Sequence, residues 1–199
     1  MDIEFEATFP DVNKNEFRTK LKRVGAKLVR SEFLQKRIVF HLPSGHKIKG
    51  GWLRVRDEGD KVTMSLKVIA GKNIEDQKEI MIVVDDFEKA KELLVSIGCI
   101  EKAFQENKRE LWDLDGVEVA IDEWPYLEPF VEIEGPSEKI VKAVSEKLGF
   151  DWSEAIFGPL DVLVEKKYGI PKKVINDETR LLVFGGENPW EKWLSENRK

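Results

Sequence analysis

Apolar and polar residues alternate from the start of the chain. Ile3, Phe5 and Ala7 fall on one face of residues 2–9, and Glu4, Glu6 and Thr8 on the other. A period of two belongs to a strand with one buried face. Pro10 and Asp11 stop it, and over 13–24 the spacing of Phe17, Leu21 and Val24 becomes helical. Extended segments follow at about 27–41, at 51–57 and 61–68 around a turn at 58–60, and at 76–84. Asp85 and Asp86 can cap a helix over 87–97, which Gly98 ends. Strand patterns return at about 100–114, at 117–123 after the turn Asp115-Gly116, and at 130–134, before a helix running from Ser137 to about 148. A short helix near 160–168, a polar link at 171–180 and a Trp-containing piece at 189–196 complete the chain. Two blocks of strands followed by a helix, with about eight strands in all, predict an α+β fold: an antiparallel β-barrel or strongly curved sheet with helices packed outside.

The polar faces of these strands are ionic. Glu4 and Glu6 share one; Trp52, Arg54 and Arg56 another; Thr63, Ser65 and Lys67 a third. Glu79 and Arg109 follow, then Glu118 with Asp122, and Glu132 with Glu134. A solvated sheet face would explain any one of them. The set is harder to explain that way, because like charges paired on one strand repel and need a partner. A divalent cation is such a partner for the acids, and a phosphate chain for the arginines. If the strands close with their apolar faces outward under the helices, the ionic faces line the lumen. A charged interior cannot stay dry and unpaired.

Charge and composition narrow the field. A formal net charge of −5 excludes a general nucleic-acid binder without excluding a local basic cavity. Cys99, the only cysteine, lies in an apolar stretch and reads as buried and inert. The N-terminus has no secretory pattern and no run reaches membrane-spanning length, so a cytoplasmic protein is expected. His41 and His46 lack Cys or His partners at metal spacing, and the Gly- and Lys-rich run 45–51 lacks the ending of a phosphate-binding loop.

In order along the chain, Glu4-Phe5-Glu6, Leu53-Arg54-Val55-Arg56, Met64-Ser65-Leu66-Lys67, Lys78-Glu79-Ile80, Lys108-Arg109-Glu110, Asp122-Glu123-Trp124-Pro125 and Phe130-Val131-Glu132-Ile133-Glu134 resemble the motifs of the CYTH, or triphosphate tunnel metalloenzyme, superfamily. The resemblance runs over residues 3–134. It implies a closed eight-stranded antiparallel β-barrel whose tunnel grips a triphosphate with basic residues and holds Mg2+ or Mn2+ with carboxylates. On that basis Arg54, Arg56, Lys67 and Arg109 are the expected substrate-binding residues. Glu4, Glu6, Asp122, Glu132 and Glu134 are the expected metal ligands, and Glu4, Glu6, Arg54 and Lys67 the expected catalytic set. The implied tunnel domain covers 1–170, with 171–199 as a C-terminal extension.

The chain departs from the pattern in places. Thr8 stands where the resemblance expects a strand-1 lysine, Met81 where a second acid often stands, and Arg37 where an acid is usual. Lys36 or Arg37 could replace the missing cation if it points inward. Metal-dependent hydrolysis of tripolyphosphate, ATP or thiamine triphosphate is the leading reading. Class IV adenylate cyclase chemistry and non-catalytic triphosphate binding stay open, as does a monomer or homodimer. No membrane partner is expected.

Overall fold

The computed structural model describes residues 1–197. Its first strand comes in two pieces, β1 (Asp2–Ile3) and β2 (Phe5–Phe9), followed by α1 (Lys14–Arg23), β3 (Lys27–His41), β4 (Gly51–Asp57), β5 (Val62–Ile69), β6 (Gln77–Val84) and α2 (Phe87–Ser96). The second block is β7 (Ile100–Leu114), β8 (Val117–Glu123), β9 (Phe130–Gly135) and α3 (Glu138–Lys147). Then come α4 (Asp161–Tyr168), α5 (Lys172–Glu178), β10 (Leu181–Leu182) and α6 (Pro189–Asn197).

The strands form a nearly closed antiparallel barrel in the order β1-β6-β5-β4-β3-β7-β8-β9-β2. Closure runs through the first strand, which changes partner at Glu4. Its β1 half pairs with β6 and its β2 half with β9. Gln77 holds the crossing: its carbonyl accepts from the Glu4 N–H at 3.0 Å, and its side-chain amide donates to the Glu6 carbonyl at 3.1 Å. Counted as one bent strand, β1 and β2 make the barrel eight-stranded. Short β10 adds a parallel pair to an end of β7 that β8 does not reach.

Local chemistry sets the ends of the elements. Asn13 caps α1 by accepting from the Asn15 and Glu16 N–H groups, and Asp86 caps α2 through the Lys89 N–H. Asp115 and Gly116 both take positive φ (58° and 82°), the twist a two-residue hairpin turn needs.

The outward faces are the apolar ones. Ala7, Phe9, Val117, Val119, Ile121, Val131 and Ile133 pack beneath Phe17 and Leu21 of α1 and Val141, Val144 and Leu148 of α3. Ile38, Phe40 and Val55 pack beneath Ala90 and Leu94 of α2, beside buried Cys99. Apolar burial on this scale, about 25 cal/mol per Å2, turns the ionic faces inward.

The C-terminal residues do not follow the expected pattern at one point. The segment expected as a polar link, 171–180, contains α5 and leads into β10. Ile175 supplies the reason, since it is buried in a cluster with Trp124, Phe130, Leu163, Val164, Leu182 and Trp190. A seven-residue helix has little stability alone and forms here because it is docked. Trp190 anchors the tail: it is buried, its indole N–H donates to Thr179 Oγ1 at 3.1 Å, and its ring meets Tyr126 edge-on. No helix of the described residues is long and apolar enough to cross a membrane.

Candidate triphosphate and metal site

Inside the barrel lies a cavity of about 720 Å3. Glu4, Glu6, Glu132, Glu134, Arg54, Arg56, Lys67 and Arg109 all line it. Leu163, Ile175, Leu182 and Trp190 of the C-terminal residues line it too, so the docked tail closes part of one end.

One wall is acidic. Register places Glu6 and Glu118 on either side of Glu134, a row of three carboxylates across β2, β9 and β8. Among the described residues none of the three has a cation within ion-pair distance, unlike Glu4, which meets Lys67 at 3.0 Å, and Glu132, which meets Arg109. Burial, then the charges of Glu6 and Glu118, push the Glu134 carboxyl up to about 7. Burial and then Glu6 also hold Glu132 well above the ordinary carboxylate range, against the pull of Arg109. Glu4 is raised to about 8 by burial and by a hydrogen bond with Glu79. Burial opposes ionisation of Glu79 as well, but the proton shared from Glu4 and the charges of Lys67 and Arg54 hold it at about 2.

Cations from β3, β4, β5 and β7 line the rest of the lumen. Arg54 donates to Glu79 at 3.0 Å, Lys67 lies 3.8 Å from Glu79, and Arg56 meets Glu58 at 2.6 Å. Arg109 forks onto Asp122 at 3.0 and 2.6 Å and also reaches Glu132. Buried Nε atoms of Arg37, Arg54 and Arg56 have no acceptor. Burial and then Arg54 and Arg109 draw Arg56 down to about 10, despite Glu58. A lumen arranged this way has spare donors on one side and spare acceptors on the other.

The CYTH domain profile matches residues 2–155, every strand of the barrel and more than half of the chain. The chain belongs to the CYTH domain family. Solved structures agree on the CYTH fold. A Pyrococcus horikoshii protein superposes with a TM-score of 0.68 at 26% identity, over 80% of this chain and 98% of its own. A conserved hypothetical protein of Pyrococcus furiosus gives 0.67 at 24% identity, over 80% and 99%. A Hippeastrum adenylyl cyclase candidate, described with a dominant triphosphatase activity, gives 0.57 at 13% identity, over 84% and 98%. The comparison with curated proteins gives no match.

Within this CYTH barrel one expected ligand stands apart. Asp122 is inaccessible to solvent and does not line the cavity. Its Oδ1 accepts from Asn107 at 2.8 Å and from Arg109, and its Oδ2 from Arg109. Its position makes it the anchor that aims Arg109 rather than a carboxylate open to a metal. Asp122→Ala is therefore expected to destabilise the metal-free protein by somewhat less than the roughly 3–5 kcal/mol of a fully broken buried pair, because Arg109 keeps Glu132. Urea unfolding without added metal checks this.

Three acids of the lumen had no role assigned from sequence. Alternation already put Glu79 and Glu118 on ionic faces, but not opposite Lys67 or beside Glu134. Glu58 reads as a turn residue and instead is buried, bridging Arg56 and Lys61. Thr8 faces the cavity, paired to Glu132 on one side and to the Ile156 backbone on the other, with N–H···O distances of 2.9 and 3.0 Å. Lys36 is exposed, whereas Arg37 points in. In the run 45–51 the glycine backbone, not the lysines, reaches the cavity mouth. Gly50 is required there: at φ 67°, an added Cβ would sit 2.2 Å from the Ile69 carbonyl oxygen.

Proposed function

We propose that this chain is a divalent-metal-dependent phosphohydrolase acting on tripolyphosphate or a nucleoside triphosphate. The observation that carries the reading is the split lumen, with the unpaired row Glu6, Glu134 and Glu118 on one wall and arginines with unused donors on the other.

The donor set fits a hard cation. All its atoms are carboxylate oxygens, which suit Mg2+ or Mn2+ and argue against zinc. Among the described residues no three His, Cys, Asp or Glu side chains already converge as a ligand cage. A magnesium-type site relies on one or two carboxylates plus substrate oxygens and water. A bound Mg2+ or Mn2+ supplies charge neutralisation of phosphate oxygens and acidifies an attacking water. Arg54 and Arg56 offer planar forks to non-bridging oxygens, and Lys67 a point charge. Glu4 and Glu79, now held by Lys67 and Arg54, would be the carboxylates freed for a cation if phosphate oxygens engaged those two donors. On this reading metal and triphosphate are expected to bind better together than apart.

The test is incubation with tripolyphosphate, ATP or thiamine triphosphate plus Mg2+ or Mn2+, with chromatographic resolution of products. Orthophosphate release at an enzymatic rate is expected. Cyclic AMP from ATP would replace this reading by the cyclase one, and tight binding without turnover by a triphosphate-binding protein.

A further inference from the structure

Arg37 is the one lumen arginine without a carboxylate partner among the described residues, and its surroundings are built to hold it there. It lies on β3 directly opposite Arg56 of β4, and Val39, two residues on, lies opposite Arg54. Like charges facing each other across strands are unfavourable. Only 5% of Arg37 is exposed, so water does little to screen the repulsion. Its Nη2 donates to Gln35 Oε1 at 2.9 Å and to Asn107 Oδ1, and its guanidinium stacks over the Trp124 ring at 4.6 Å. These partners are neutral. They fix the direction of the fork without cancelling its charge. Its Nε has no acceptor, and neither do the Nε atoms of Arg54 and Arg56. Burial, followed by the charges of Arg54, Arg56 and Arg109, draws the Arg37 guanidinium well below its ordinary value. A guanidinium essentially keeps its proton in a protein, so the charge stays and awaits a counter-ion.

We propose that Arg37 is a phosphate-binding residue of the tunnel, closing with Arg56 as a two-guanidinium clamp on one phosphoryl group of the bound chain. The inference rests on the functional reading above and adds a residue to it. A purely structural arginine would be matched by a carboxylate, as Arg109 is by Asp122. Arg37 is matched only by an oriented neutral cradle at the edge of a polar cavity, which is the arrangement of a preorganised anion site. Two facing forks also favour a group bearing two negative charges over a neutral or singly charged one.

Calorimetric titration of Arg37→Met, Arg37→Lys, Arg54→Ala and wild type with tripolyphosphate in the presence of Mn2+, and with Mn2+ alone, tests the clamp. Arg37→Met is expected to weaken tripolyphosphate binding roughly 100-fold while leaving Mn2+ affinity as in wild type. Arg37→Lys, which keeps the charge but not the fork, should recover part of that loss. A merely structural arginine would move both ligands together and would show no rescue, and that result overturns the proposal. Should Arg37→Met fail to fold, Arg37→Lys decides: wild-type tripolyphosphate affinity, or a matching loss of Mn2+ affinity, counts against the clamp. If wild type itself does not bind tripolyphosphate, the functional reading falls first. If wild type binds, Arg54→Ala loses binding and Arg37→Met keeps it, only the Arg37 inference falls.

Discussion

Arg54→Ala is expected to lower tripolyphosphate affinity by about 100- to 1,000-fold, the range for truncating one partner of a desolvated charge pair. Arg54 is 8% exposed, so its contribution is not screened by bulk water. Its Nη2 is committed to Glu79, and its buried Nε has no acceptor, so its only partner is a carboxylate that a phosphate can displace. Removing it also leaves Glu79 with Lys67 alone, at 3.8 Å. The fold should weaken by less than the roughly 3–5 kcal/mol of a fully broken buried pair, because one cation remains. Calorimetry for binding and urea titration for stability separate the two effects. Arg54→Lys should recover part of the loss but not all of it, since it keeps the charge without the fork onto two phosphate oxygens. Binding unchanged in Arg54→Ala would remove the arginine wall from the proposal.

The metal-free protein should lose stability as pH rises from about 5 to 8, and Mn2+ should reverse the loss only at the upper end. Glu134 is held at about 7 and Glu4 at about 8, both above the ordinary 4.5. Through that window the folded chain binds more protons than the unfolded one, so the free energy of unfolding falls with rising pH. The stability these groups contribute is complete below about 4.5 and gone above their folded values. Glu79, held at about 2, acts in the opposite sense, but only between about 2 and 4.5, below the window. Moving one buried carboxyl from 4.5 to about 7 corresponds to roughly 3 kcal/mol, enough to shift a melting midpoint by several degrees. A cation needs ionised carboxylates, so protons compete with it strongly at pH 5.5 and much less at pH 8, where Glu134 has mostly ionised and Glu4 is part-way. Thermal melts at both values, with and without Mn2+, provide the check. Equal stabilisation by Mn2+ at both would mean that the raised carboxyls are not its ligands.

Much of the barrel was legible because a period of two needs no tertiary information. Ile3, Phe5 and Ala7 against Glu4, Glu6 and Thr8 already separate outside from inside, and the same holds for β4, β5, β8 and β9. β3 was harder. Around 35–40, Gln35, Arg37 and Val39 share one face and Lys36, Ile38 and Phe40 the other, so neither is cleanly apolar. Its pairing with β7 also shifts register three times. Alternation alone could not phase Arg37 inward and Lys36 outward.

The sequence by itself determined the two charge types, the strands that carry them and the face each shares, because side-chain direction along a strand follows from covalent geometry. Only the tertiary structure decided which charges meet. Lys67 lies between Glu4 and Glu79, Glu134 between Glu6 and Glu118, and Asp122 beneath Arg109, because barrel closure and register bring distant strands to one height. That decision turns a list of carboxylates into distinct roles. Glu6, Glu118 and Glu134 have no cation partner among the described residues, whereas Asp122, of the same chemistry and on the same strand as Glu118, is spent on holding an arginine in place.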